Sequence, residues 1–186
     1  MSDRAAAMPP MTPQDYFAFE ETTPLKHEYL DGAIYAMVGA TTRHNVIAGN
    51  IFTVLRSRRP RGCEVFISDV KLKIRHAAGE FYYYPDLLVS YSQTDRDPLF
   101  REQPVLLAEV ASPSTERIDR REKLTSYREI SSLIEYVIVG QDHRLIEIYR
   151  RRNGWMREVL KPDEDLVLES VDVTLSQSQI YDEAGL

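Results

Sequence analysis

Residues 104–140, PVLLAEVASPSTERIDRREKLTSYREISSLIEYVIVG, decide the fold. PVLLAEVAS is apolar enough to be a short buried strand. SPSTERIDRREKLTSYREI reads as a helix with Ser114 or Thr115 near its cap, and LIEYVIVG reads as an interior strand. A strand–helix–strand unit is how a chain connects parallel strands, so the stretch predicts an α/β fold with a central mixed sheet flanked by helices. Glu109 lies in the middle of the first strand, on the same face as Leu107. A charge on a buried strand is costly unless it is paired or holds a metal. A second such charge, Asp86, follows Pro85 in FYYYPDLLVS, 23 residues earlier. On neighbouring strands the two carboxylates would converge on one hard cation, and a helix rich in Arg and Lys follows them.

Outward from this unit, MTPQDYFAFEE opens like a helix, with Thr12 as cap, Pro13 in the first turn and Asp15 where a capping box wants an acid. KHEYLDGAIYAMV predicts a β-hairpin turning at Asp31-Gly32. Ile47, Ile51, Val54 and Leu55 fall at helical spacing between Thr42 and Arg58, and Pro60 and Gly62 end that helix. CEVFIS, DVKLKI and FYYYPDLLVS predict a meander. Alternation on DVKLKI sets Asp69, Lys71 and Lys73 against Val70, Leu72 and Ile74. HRLIEIYRR and WMREVL flank a second hairpin at Asn153-Gly154, and the tail from Asp165 reads as strand and loop. No repeat or linker is visible. Residues 11–186 are expected to form a single domain after a mobile segment, residues 1–10.

The 186-residue chain can bury a real core, and its eleven tyrosines suit a folded protein. One cysteine, Cys63, permits no internal disulfide and reads as a packed side chain. With no apolar leader and no stretch of transmembrane length, a soluble cytoplasmic protein without membrane partners is expected. The net charge of −6 argues against a general nucleic-acid binder. The cations are clustered, however, at Arg56, Arg58, Arg59 and Arg61, at Arg117, Arg120, Arg121 and Lys123, and at Arg150, Arg151 and Arg152. The last cluster reads as a solvated face.

Pro85-Asp86, then Glu109, then a basic residue resembles the PD-(D/E)XK nuclease superfamily, with its restriction-endonuclease-like core. The resemblance is closer to a branch of small endonuclease-like proteins numerous in some bacterial genomes. It rests on HEYLDG with Glu28, TTRHN with His44, SDVKL with Asp69, YPDLLV with Asp86, LLAEVASPST with Glu109, and DRREKLTSY with Lys123 followed by EYVIV. It spans about Met11 to Arg150. One departure stands out: the superfamily lysine two residues after the second acid is here Ala111. In this branch the lysine is thought to have moved to the following helix, where Lys123 is the candidate and Lys71 its rival. A surface pair of Asp119 with Lys123 is the structural alternative.

The resemblance implies a metal-dependent endonuclease acting on nucleic acid, with DNA as the expected substrate. Asp86 and Glu109 would ligate Mg²⁺ or Mn²⁺, because such ions take oxygen ligands and keep room for substrate phosphate. Lys123 would meet the scissile phosphate or the attacking water, with Glu28 and His44 assisting. A homodimer is implied by analogy, since paired sites cut paired strands. Each assisting residue has an ordinary reading as well. Glu28 could pair with Lys26 on an exposed strand, and His44, which shares a helix face with Ile47, Ala48 and Ile51, could be a hydrogen-bonded core residue. Tyr127, one turn past Lys123, reads as packing with its hydroxyl satisfied. Tyr82, Tyr83 and Tyr84 could stack on bases but are ordinary strand residues. Ser112, Ser114 and Thr115 suit caps and turns better than nucleophiles, and His27, His76 and His143 lack metal-ligand spacing. Two other functions compete: a degenerate nuclease fold retained as a nucleic-acid or protein-binding module, which Ala111 and the acidic balance favour, and a carboxylate-pair glycosidase.

Overall fold

The computed structural model describes residues 10–37, 39–77, 79–91, 93, 95–112 and 119–186. Most of the expected N-terminal segment, residues 1–9, lies outside them, as do Ser114, Thr115 and Arg117 and the side chain of Asp119. At the centre, β8 (Pro104–Ala111) runs parallel to β9 (Glu135–Gly140), in a register that sets Glu109 beside Ile138. This is the pairing that the strand–helix–strand pattern predicts. Around it lie β6 (Leu87–Ser90), β3 (Glu64–Ile67), β10 (Ile146–Arg150) and β11 (Arg157–Val159). The six-stranded mixed sheet has the order β11-β10-β9-β8-β6-β3.

The alternation of β8 sorts its two faces. Leu106, Ala108 and Val110 join one apolar cluster with Ile47, Ala48, Ile51 and Leu55 of α2 (Thr42–Arg58). Leu107 and Ala111 face a second cluster that includes Leu72, Tyr83, Tyr127 and Tyr136. Glu109 is therefore on the aromatic face, away from α2.

The sheet is not single. The expected hairpin, β1 (His27–Leu30) with β2 (Ala33–Ala36), joins β5 (Gly79–Tyr83), β4 (Lys71–His76) and the short β7 (Phe100–Arg101) in a second, five-stranded sheet of order β2-β1-β5-β4-β7. Its Asp31-Gly32 turn has positive φ at both residues, 45° and 99°, as an Asp-Gly hairpin turn requires. The predicted meander is one long hairpin bent across both sheets: β3 pairs with β6 in the first and β4 with β5 in the second. The two corners are Ser68–Val70 and Tyr84–Asp86. At one, Ser68 takes a positive φ of 58° and its N–H donates to the Asp86 carbonyl at 2.9 Å. At the other, Pro85 has no N–H to continue a ladder, so the chain leaves one sheet there and enters the other. FYYYPDLLVS is thus two strands, and Asp86 stands at the break, not within a strand.

The connection from β8 to β9 corrects the expected regular helix. In its described part a π-helical turn at Asp119–Lys123 leads into one α turn, α3 (Leu124–Tyr127). At the N-terminus, α1 (Pro13–Thr22) carries the predicted capping box of Thr12 with Asp15. The tail holds β12 (Leu166–Leu168), β13 (Val173–Leu175) and a helix that the reading lacked, α4 (Gln177–Tyr181), with its own capping box from Ser176 and Gln179. Cys63 is buried, as expected, and burial pushes its thiol pKa up. Among the described residues no helix is long and apolar enough to cross a membrane.

Candidate active site

Asp86 reaches its place because the hairpin corner turns it towards β8. Its Oδ2 accepts the Val110 backbone N–H at 2.7 Å, while its own N–H donates to Glu109 Oε2 at 3.4 Å. The two carboxylates are thereby tied to one point on β8. On the other side of Asp86 stands His44, at the third position of α2, where Thr41 caps the helix and accepts the His44 N–H. The helix face predicted to point inward does so, and His44 Nε2 lies 3.0 Å from Asp86 Oδ2.

Glu109 is 4% exposed. Its Oε1 accepts from Lys123 Nζ at 3.0 Å and from the Tyr127 hydroxyl at 2.9 Å. Lys123 is itself buried and also stands 3.6 Å from Glu28 Oε1. The π turn followed by an α turn places Lys123 and Tyr127 on the same carboxylate oxygen; such wide turns recur at functional sites. Glu28 accepts the Tyr84 N–H at 3.4 Å, while Lys26, its expected surface partner, pairs with Asp69 instead. All five predicted site residues, Glu28, His44, Asp86, Glu109 and Lys123, are therefore brought into one contiguous chain of polar contacts. A cleft of about 630 Å³ opens over His44, Asp86, Glu109 and Lys123, with Tyr84 and Gln141 also in its wall.

The rival lysine, Lys71, pairs with Glu20 at 3.7 Å and lies over the Tyr84 ring, 5.0 Å from its centroid. Burial lowers its pKa, against the pull of Glu20. Glu20 escaped the sequence reading. It accepts the Tyr84 hydroxyl at 2.7 Å and meets His27 Nδ1 at 2.9 Å, so it supports the wall of the cleft. At the end of an amphipathic helix it looks like any surface acid, and no local signal marks it. The three consecutive tyrosines are all 4% exposed or less, so they are packed as ordinary strand-region residues, with Tyr84 alone of the three reaching the wall of the cleft. The Arg150–Arg152 cluster is also not simply a solvated face: Arg150 is buried, with Nε 2.9 Å from Glu135 Oε1. In the second cluster, Arg120 makes a two-pronged pair with Glu147 at 3.0 and 2.6 Å.

Among the described residues, no three His, Cys, Asp or Glu side chains gather to hold an ion by themselves. The pair Asp86 and Glu109 nevertheless suits Mg²⁺, which is commonly held by one or two carboxylates and completes its shell with water and substrate phosphate.

The model of the Uma2 family, described as "Putative restriction endonuclease", matches residues 13–178. The chain belongs to the Uma2 family. Two Synechocystis relatives are similar over most of their length. The uncharacterized protein slr1290 is 33% identical over 181 residues, 95% of this chain and 94% of the relative. The uncharacterized protein sll1609 is 33% identical over 145 residues, 76% of this chain and 81% of the relative. In structure, this Uma2 chain is similar to a crystal structure described as a putative nuclease belonging to DUF820, from Anabaena variabilis. The TM-score is 0.72 at 18% identity, covering 87% of this chain and 93% of that one. That likeness shows the fold, a restriction-endonuclease-like α/β core of mixed sheets flanked by helices. The family supports a nuclease at a coarse level.

Proposed function

We propose that this Uma2 protein is a metal-dependent endonuclease that hydrolyses DNA phosphodiester bonds in the cleft above Asp86 and Glu109. One observation carries the reading. Position 111 is alanine, yet Lys123 Nζ arrives from the next element within 3.0 Å of Glu109. A carboxylate pair and a lysine are thus assembled although the sequence lacks the usual spacing.

Asp86 and Glu109 would hold Mg²⁺ or Mn²⁺, and the ion would supply charge neutralisation at the phosphate and a more acidic bound water. The remaining work falls to the chain. Lys123, a buried ammonium with three donors, neutralises charge that develops on the phosphoryl oxygens, where an excluded-water site makes such a contact strong. Glu28 keeps Lys123 directed into the cleft. His44 orients Asp86 and, as an imidazole, can pass a proton to or from water in the cleft.

In a cleavage assay on plasmid DNA with Mg²⁺, Asp86→Ala and Glu109→Ala should each cost more than the roughly 10- to 100-fold typical of losing a supporting partner of a metal ligand. Circular dichroism should show both variants folded, although Glu109→Ala removes the partner of the buried Lys123 and should melt earlier than the wild type. Full activity in both variants would overturn the assignment. Binding of DNA that is indifferent to Mg²⁺ and to Glu109, without cleavage, would point to a degenerate binding module.

A further inference from the structure

The hydroxyl of Tyr127 meets the same Glu109 oxygen as Lys123, at 2.9 Å against 3.0 Å. Packing alone does not require this. Tyr127 is fully buried, and its ring is gripped edge-to-face by Tyr83 and Tyr136, at centroid distances of 5.6 and 5.1 Å and interplanar angles of 89° and 87°. Ring contacts of this kind fix the direction of the hydroxyl. Lys123, in contrast, is shared between Glu109 and Glu28.

We infer that Tyr127 is a positioning residue: its hydroxyl holds the Glu109 carboxylate in its metal-binding orientation and keeps it held when Lys123 turns to the substrate phosphate. The inference rests on the nuclease reading above and adds a division of labour. Asp86 N–H donates to the other oxygen, Oε2, so a lysine that alone served Oε1 could not leave it without taking away the donor of that buried oxygen, which is unfavourable. With a second, rigid donor on Oε1, Lys123 can exchange partners while Glu109 keeps its hydrogen bond. Tyr127 touches neither the substrate nor the metal; it acts through Glu109.

The test is calorimetric titration of Mn²⁺ alone into the full chain. Tyr127→Phe preserves the ring and its edge-to-face contacts. It should bind Mn²⁺ about 10-fold or more weakly, as expected when a ligand loses its orienting partner. Tyr83→Phe is the control, because its hydroxyl meets Ser126 Oγ at 3.1 Å and not Glu109; its affinity should equal that of the wild type. Lys123→Met gives the complementary arm, and keeps the inference testable should Tyr127→Phe fail to fold. With Tyr127 still in place, its Mn²⁺ affinity should be at least that of the wild type. Undiminished binding by Tyr127→Phe, equal weakening in Tyr83→Phe, or lost binding in Lys123→Met would each overturn the positioning role while leaving the nuclease reading intact. No Mn²⁺ binding by the wild type would overturn the metal site itself, and this inference with it.

Discussion

Glu109 is a buried acid whose partners come from different elements: the corner before β6, the π turn and α3. Each contributes a donor that a lone strand carboxylate would lack, which is why the charge is tolerated on an otherwise apolar face. Lys123 is the residue whose role is most open to kinetic test. Its ammonium would contribute chiefly in the transition state, so Lys123→Met should lower kcat about 10²- to 10³-fold with little change in KM. A loss confined to KM, measured by initial rates on an oligonucleotide substrate, would make it a simple binding cation. At this scale the sequence was most legible where side chains alternate: Leu107 and Glu109 share a face as strand periodicity demands. Tyr127 was legible as a packed residue with its hydroxyl satisfied, but the atom that the hydroxyl reaches was not, and Glu20 was opaque altogether, because such contacts depend on packing across elements.

At the scale of elements, β8, β9 and the crossover between them were legible from apolar run length and turn chemistry. The double sheet was not. CEVFIS–DVKLKI and FYYYPDLLVS each look like strand material throughout, and the decision to bend lies in the tertiary pairing of two corners. Pro85 was a local hint that a ladder must break there. The run Arg150–Arg152 misled because three arginines suggest solvent, whereas Arg150 belongs to β10 and is held by three acceptors. These are Glu135 at 2.9 Å, Glu158 at 2.6 Å and the Val167 carbonyl at 2.8 Å. Glu135 is fully buried. Arg150→Ala should therefore destabilise the fold by about 3–5 kcal/mol in urea unfolding, because it leaves that carboxylate without its cation. A loss under about 1 kcal/mol, the range of surface pairs, would show that the backbone N–H groups of Glu169 and Ser170 suffice to hold Glu135. The tail helix α4 was missed although Ser176 and Gln179 spell a capping box; five residues are too few to show helical periodicity.

For the whole molecule, internal ion pairs such as those of Glu147 tie stability to pH. Burial alone would raise the Glu147 pKa, but the guanidinium groups of Arg157 and Arg120 outweigh it and hold the carboxyl below the usual range. A carboxyl lowered on folding stabilises the native state above its unfolded pKa, and that contribution disappears as pH falls through the folded value. Stability should thus drop below about pH 4.3, and Glu147→Gln should flatten that acid limb while lowering stability at neutral pH. An acid limb of unchanged slope in the variant would remove Glu147 from the account. The central claim, that two carboxylates from a hairpin corner and a parallel strand form one divalent-cation site, is tested most directly by titrating Mn²⁺ into the wild type and into Glu109→Ala at moderate salt. Binding in the wild type that vanishes in the variant is the predicted result; binding that survives undiminished without Glu109 would contradict it.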